Sequence, residues 1–432
     1  MKRFITLALA GILLLGCAGL AYGAGRVTGY YVDAAVTANQ HAVGEYFNRH
    51  FGTETFGPFP VGYYAPQIDL VLNQGPVPYR FALDNFSPEE YAAFTDINRA
   101  SLWQINHLTL DRLAALRVPG PVARTQQPLL FADSGSLALD AAPLLYTPMT
   151  ELSKGWSVWG EGFGLFGYQA ERNDSFGYVY NTGGVSLGVD KAILDKLTVG
   201  LVTGYSHSKV DFNDVFFAGK VNSLDAGLYG SYNPAPWYVD ASFIWARNWH
   251  DTERFDLFAN DTAHAEYYGD IFSLYTGGGY NIDVGKARIT PTLSLTYTYY
   301  FQEDFTERGA GLFDLDVDAF DSHSLVSRVG LRFAYEFDLN NVTIVPEASA
   351  EWAHEYLDTD RTVISRMASS IPFVPGDTFE VSGVEPERNS AILGLGVTAY
   401  FGKGFSAYGD YNAEVREHYN SHGFIIGVRY EF

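Results

Sequence analysis

The 432 residues carry 50 acidic side chains against 28 Lys and Arg, a net charge of −22. A chain this acidic offers no basic stripe to displace counterions from phosphates, which excludes nucleic-acid binding. Hydrophobic residues make up 47%, yet beyond residue 20 no run approaches the ~20 apolar residues of a spanning helix, so any passage through a membrane must use strands.

Met1 to Gly23 reads as an export signal: Lys2 and Arg3, the apolar run Phe4 to Leu15, then small residues. Removing it takes the net charge from −22 to about −24, because it holds two bases and no acid. Ala21-Tyr22-Gly23 offers a processing site that leaves Ala24 first. Leu14-Leu15-Gly16-Cys17 resembles a lipobox, but Leu15 is larger than the residue usual there, so cleavage before Ala24 is preferred. Cys17 is the only cysteine, which leaves no internal disulfide and no Cys-based metal site.

Residues 24–117 are soluble in character. Val36 to Arg49 reads as a short helix, and Gly and Pro clusters from Gly52 to Pro78 break regular structure. Ser87 as N-cap, Pro88 at the first position and Glu90 closing a capping box open a second helix. Its apolar stripe runs through Tyr91, Phe94, Ile97, Ile105, Leu108 and Leu113 to Arg117, before Pro119 and Pro121. Such a helix, roughly 45 Å long at ~1.5 Å per residue, is long enough to cross a membrane through a pore. It could equally pack in a small periplasmic domain. The same helix presents Arg99 and Arg112, for which Glu161, Glu347 or Glu351 are the partners expected.

Residues 118–153 form a connector without clear periodicity. From Gly155 onward twelve alternating stretches follow: 155–169, 178–190, 195–209, 218–233, 236–250, 265–282, 286–302, 321–337, 341–356, 387–402, 404–417 and 421–432. In the last, Phe424, Ile426, Val428, Tyr430 and Phe432 share one face, opposite Ile425, Gly427, Arg429 and Glu431. In the eighth, Leu325, Val329, Leu331, Phe333 and Tyr335 oppose Arg328, Arg332 and Glu336. Short connections after even-numbered strands and longer ones after odd-numbered strands assign periplasmic turns and outside loops. Aromatics at 16% and 44 Gly suit interfacial girdles and tight strand packing. The expected fold is all-β, a 12-stranded antiparallel transmembrane barrel over 154–432 with an N-terminal helical linker at 87–117.

Pro291 and Pro346, inside strands where each removes a ladder donor, predict bulges or bends near the periplasmic rim. Gly160, Gly162 and Gly164 in the first strand suggest either cleared lumen space or, slightly preferred, tight strand packing. The lumen-facing charges expected are Glu161, Asp240, Arg328, Arg332, Glu336, Glu347, Glu351, Asp410, Glu414 and Arg429. Mixed rings of this kind steer ions or bond a plug. His207, His250, His264, His323, His354, His418 and His422 fit no catalytic pattern and read as solvated rim residues. Asp314, Asp316 and Asp318 alternate as weak calcium ligands do, but without the Gly and distal Glu of an EF-hand they read as a solvated acidic loop. No enzymatic site, cofactor or metal is expected.

Thr37-Ala38-Asn39-Gln40-His41-Ala42-Val43 resembles the "NQ-x-AVA" segment near the end of autotransporter passengers. Ala82-Leu83-Asp84-Asn85-Phe86-Ser87-Pro88-Glu89-Glu90-Tyr91 resembles the "ALD-x-LS-x-E-x-Y" segment before the barrel of that family, and Asp111-Arg112-Leu113 its "DRL". The resemblance implies a type V secretion protein of the Gram-negative outer membrane. It also implies a monomer in outer-membrane lipid, placed by the barrel assembly machinery reading Gly427, Tyr430 and Phe432, with Ile425 replacing a polar residue expected there. Little precedes Thr37, so a passenger shrunk to the junction is the first reading. Self-cleavage within the barrel is not expected, because the family's Asn-Asn pair is missing around Asn98 and Asn106. An autonomous pore or surface adhesin is the alternative, and an outer-membrane hydrolase comes last.

Overall fold

The computed structural model describes residues 31–32, 35–51, 71, 75–117, 156–172, 175–213, 215–357, 361–368, 377–402 and 404–431. The readings of the export signal, the connector and Phe432 lie outside them.

Twelve antiparallel strands close into a barrel: β1 (Trp156–Gln169), β2 (Tyr178–Leu194), β3 (Leu197–Phe212), β4 (Phe217–Tyr232), β5 (Trp237–Asp256), β6 (Asp261–Tyr280), β7 (Ala287–Gln302), β8 (Phe320–Tyr335), β9 (Val342–Glu355), β10 (Asn389–Gly402), β11 (Phe405–Arg416) and β12 (Tyr419–Glu431). Each pairs with its chain neighbours, and β12 returns to β1 with Tyr430 opposite Val158 and Ile426 opposite Gly162. Closure leaves no unpaired backbone edge, the condition for a sheet to survive in hydrocarbon.

The two-residue period sorts every strand into an outer apolar and an inner mixed face. On β12 Phe424, Ile426, Val428 and Tyr430 are exposed at 47–75%, whereas Ile425 and Arg429 fall to 1% and 3%. On β8 Val329, Leu331 and Phe333 face outward and Arg328 inward, as the alternation predicts. Tight turns join β6 to β7 and β10 to β11, where Gly285 (φ 62°) and Gly404 (φ 76°) take left-handed backbone that other residues adopt at a cost.

Several expectations change. Gly160, Gly162 and Gly164 share the outward face with Trp156 and Phe166, so they clear no lumen space. Inward glycines do that instead: a Cβ on Gly188 would lie 2.1 Å from the Trp159 ring, and one on Gly200 would lie 2.3 Å from Tyr229. The register does not shift at Pro291, opposite Leu331, or at Pro346, opposite Val397, so neither marks a bulge. On its other side each proline interrupts the ladder: pairing stops at Gly279 opposite Thr292 and resumes at Ile282 opposite Ile289, and stops at Ala334 opposite Glu347 and resumes at Phe337 opposite Ile344. Strands β5 and β6 extend to Asp256 and back from Asp261, beyond the predicted ends, because polar alternation continues there with full pairing.

Before the barrel lie α1 (Ala38–Phe51), α2 (Pro76–Phe86), a 3-10 turn (Glu89–Ala92) and α3 (Ala93–Ala115). α2 falls partly where Pro was read as a breaker, but Pro76 occupies the first turn, where its missing N–H costs nothing. The expected capping box at Ser87 does not form. Ser87 ends α2, its N–H donating to Leu83 O and Asp84 O, and no side chain caps α3. α3 therefore has 23 residues, about 35 Å at ~1.5 Å each. The long connections after β7 and β9 form a four-stranded sheet of Phe305–Thr306, Leu315–Val317, Thr362–Met367 and Phe379–Ser382.

Candidate functional site

The inward-facing side chains of the barrel meet α3 along its length. Buried residues of α3 cover about 220° of the helix at ~100° per residue: Ile97, Leu102, Ile105 and Leu108, but also Asn98, Gln104, Asn106, Thr109 and Arg112, while Asp96, Ala100, Trp103, His107 and Ala114 form a half-buried face and no residue of the helix is exposed. A helix lying on one wall would bury a stripe and solvate the rest.

At the C-terminal end the contacts are ionic. Arg112, fully buried, donates from Nε and Nη2 to the Asp190 carboxylate of β2 at 2.7 and 2.9 Å, and from Nη2 to Ser157 Oγ at 2.6 Å. Tyr229 and Trp159 complete this network, Tyr229 Oη donating to Asp190 at 2.9 Å and receiving Trp159 Nε1–H at 2.7 Å. Arg117 forks onto Asp240 of β5 at 2.8 and 2.9 Å and stacks 3.6 Å over Tyr238. Bidentate guanidinium–carboxylate pairs of this kind fix direction as well as distance.

The middle is mixed. Leu102, Ile105 and Leu108 pack with Trp159, Phe163, Val202 and Ile244, so α3 leans toward the β1–β5 wall. Ser242 Oγ donates to Asn106 Oδ1 at 2.5 Å, and Asn98 Nδ2 lies 3.0 Å from His250 Nε2. On the opposite side Trp103 and His107 border a cavity of about 130 Å³ toward β8–β11.

At the N-terminal end α3 enters an aromatic cluster. Tyr91 packs edge-on against Phe217 and Tyr267, Phe94 packs edge-on against Tyr267 and tilted against Phe217, and Tyr267 stacks on Phe305 at 4.1 Å. Arg254 donates to both Glu307 oxygens (2.9 and 2.6 Å), to Asp256 (2.7 Å) and to the carbonyls of Asn85 and Phe313. Tyr91 Oη donates to Glu307 at 2.6 Å. One buried guanidinium thus ties β5, the end of α2 and the loop after β7 together.

The two N-terminal sequence motifs meet here. Thr37 and Gln40 form a capping box on α1, Gln40 N–H donating to Thr37 Oγ1 at 3.1 Å while Gln40 Oε1 receives the Thr37 N–H at 3.3 Å. Gln40 Nε2 reaches Asp84 at 2.7 Å. Asn39 donates to Glu89 and exchanges two hydrogen bonds of 2.9 Å with the Ser382 backbone. Glu89 also receives Phe176 N–H at 3.2 Å. Burial pushes the carboxyls of Glu89 and Glu90 well above the usual carboxylate range. The Phe47, Phe86, Phe258, Phe313 and Phe379 rings complete one core shared by the N-terminal segment and the barrel loops.

The sequence-derived charges take these places. Glu161 lies beneath Arg429 at 3.8 Å, and Arg429 stacks 3.6 Å over Tyr408. Asp240 holds Arg117. Arg328 lies 3.6 Å over Trp103 and donates to Thr296. Arg332 lies 3.6 Å from Asp111 of α3. Glu347 borders a small space with Arg117 and Arg332, and Glu351 and Glu414 line the cavity beside Trp103. Asp410 faces Gly396 across β10 and β11, and Glu336 is buried where β8 ends. Gly427 lies beneath the Tyr408 ring, 2.2 Å from where a Cβ would stand. Tyr430 is outward and exposed.

The expected partners of Arg99 and Arg112 are not the observed ones: Arg99 donates to Ser322 Oγ at 2.9 Å, and Arg112 takes Asp190, which sequence reasoning missed. Asp190 was legible only as an acid on the inward period of β2. His250 is no rim residue but is buried within β5, stacked on Tyr267 at 4.5 Å. Asp316 and Asp318 are bridged by Arg366, and Asp314 receives the Ala310 N–H, so this loop is not simply solvated. Among the described residues no group of three His, Cys, Asp or Glu is arranged to hold a metal.

A closed twelve-stranded barrel with an apolar exterior and a helical segment before it defines an outer-membrane β-barrel of a Gram-negative bacterium. The chain belongs to the autotransporter family: the model described as "Autotransporter beta-domain" matches residues 158–412. It is 25% identical over 280 residues to an extracellular serine protease of Serratia marcescens, covering 64% of this chain and 26% of that protein. It is 22% identical over 356 residues to outer membrane protein B of Rickettsia rickettsii, covering 79% and 21%. The chain thus spans about a quarter of these relatives. The translocator domain of the Neisseria meningitidis autotransporter NalP superposes with a TM-score of 0.52 at 18% identity, over 64% of this chain and 89% of that one. The β domain of the Bordetella autotransporter BrkA does so with 0.50 at 20%, over 64% and 100%.

Proposed function

We propose that this autotransporter barrel displays its own N-terminal segment and retains it. In this reading residues 24–117 are the junction, α3 occupies the pore, and α1 and α2 with the loop sheet form a cap on the outer mouth. The single observation that carries the proposal is the pair of buried forks at one end of α3, Arg112 to Asp190 and Arg117 to Asp240. Their loss would leave two carboxylates unpaired inside the barrel, so release of the helix is opposed. The remaining inward charges line the pore around it. The barrel works as a monomer in outer-membrane lipid, and the assembly machinery reads Gly427, Tyr430 and Phe432 on the last strand.

Conductance of the purified barrel in a planar bilayer tests the reading. Deleting residues 81–117 should raise conductance sharply and lower the thermal midpoint. Unchanged conductance and midpoint would place the helix outside the pore and leave an autonomous barrel.

A further inference from the structure

The outward face of β3–β6 carries a row of charges just beyond its aromatic residues. Lys209 of β3 stands directly opposite Lys220 of β4, which stands opposite Asp251 of β5, opposite in turn Glu266 of β6. One cross-strand row below, Trp249 and Tyr268 are directly opposite each other and exposed. Two rows below, Tyr205 is paired with Leu224. Arg247 and Asp270 still face outward in that same row, and His207 is paired with Asn222 one row above it on β3–β4, so the apolar belt nearest the lysines begins at Tyr205 and Leu224, four residues or about 13 Å along the strand.

Like charges directly opposite on one face repel. Among the described residues this is the one place where two barrel lysines or arginines face each other across a strand pair. Lys220 has partial relief from Asp251 at 3.8 Å, with both side chains about half exposed. Lys209 has no ion-pair partner among the described residues. The neighbouring outward arginine is already satisfied: Arg247 is held by Asp270 and Glu303 and lies over Tyr268. The row is therefore polar along its length, with an unsatisfied cationic half on β3–β4 and an acidic half on β5–β6.

We propose that Lys209 and Lys220 form a docking site for a phosphate-bearing headgroup of an outer-leaflet lipid, whose acyl chains run down the apolar face below. Two observations select this occupant. The cationic pair stands above the apolar outward face of its own two strands, which begins at Tyr205 and Leu224, and its repulsion is relieved by an anion seated between the two ammonium groups. The acidic half on β5–β6 confines the phosphate to the β3–β4 side.

The test uses the full chain in detergent, titrated with lipid A bearing both phosphates and with the same lipid A after phosphate removal, bound lipid being counted by native mass spectrometry. The phosphorylated form should bind more tightly. Replacing both lysines (Lys209→Gln with Lys220→Gln) should weaken its binding by about tenfold or more, at roughly 1 kcal/mol per lysine near an anionic lipid. The paired Lys→Arg replacement should restore it. Heat modifiability confirms that each variant is folded. Equal binding of the two lipids, or undiminished binding by the folded glutamine variant, would overturn the proposal. Inorganic phosphate that competes as well as the lipid would also overturn it, since the site would then take a free anion.

Discussion

The two ends of α3 are held by different physics. At its N-terminal end Tyr91 and Phe94 enter an aromatic core built with the loops, and the buried guanidinium groups there, Arg254 and Arg361, belong to the barrel and its loops rather than to the helix, Arg361 donating to Asp96 of α3 at 2.8 Å. At its C-terminal end the helix itself supplies the cations, and the wall supplies Asp190 and Asp240. Apolar packing is non-directional and tolerates a slide, whereas a forked ion pair does not. Arg112 within α3 and Arg117 just past its end fork onto different strands, Asp190 of β2 and Asp240 of β5, so together they fix both depth and rotation of the helix. The aromatic end supplies stability, and the charged end supplies register.

The comparison is broken most severely at the outer end. Arg254→Met would strand Glu307 and Asp256 in a dry site, at a cost of about 3–5 kcal/mol. Amide hydrogen exchange should show α1, α2 and the loop sheet opening while β1–β3 stay protected. At the inner end Arg112→Ala strands one carboxylate. The thermal midpoint should drop by less, in line with about 3 kcal/mol, and adding Asp190→Asn should recover part of the loss. Arg112→Lys should not rescue, because an ammonium cannot fork.

Titration separates the ends without mutation. Burial raises Glu89 to about 8 from an ordinary 4.5, and Glu90 rises for the same reason. Their folded forms hold protons that the unfolded chain releases, so they favour the cap at low pH and lose that contribution as pH rises from 4.5 to about 8. Exchange protection of α1 should fall gradually across this window, and Glu89→Gln should flatten the dependence. Tyr91→Phe sharpens the comparison least. It removes one charge-assisted hydrogen bond to Glu307, about 1.5–3 kcal/mol at the outer end, and should leave protection at Arg112 unchanged.

The barrel was legible because its signal is local: a period of two that puts Val329 and Leu331 on one face and Arg328 on the other needs no knowledge of partners. The junction motifs were legible as words, and their meaning emerged only when Gln40 met Asp84 and Asn39 met Glu89 across folded chain. What could not be read was register. Arg112 had several inward acids within reach, and the choice of Asp190 depends on how deep α3 sits and which way it turns. The cap was hidden for another reason: its strands of two to six residues are too short for periodicity, and its burial comes from segments far apart in sequence. The error at His250 came from treating a strand end as informative without the parity of the strand that carries it, and that same parity is what decides between the two readings of Gly160.

The central claim is that α3 runs through the closed barrel, and a disulfide across its middle tests it most directly. Ser101 Oγ of α3 lies 3.5 Å from Thr182 Oγ1 on the inner face of β2. In outer membranes from cells expressing Ser101→Cys with Thr182→Cys, and with Cys17→Ala to exclude other thiols, oxidation should yield an internal crosslink. The outward-facing control, Ser101→Cys with Val185→Cys, should yield none. A crosslink absent from the first pair in folded, heat-modifiable protein, or equally strong in both, would contradict the account.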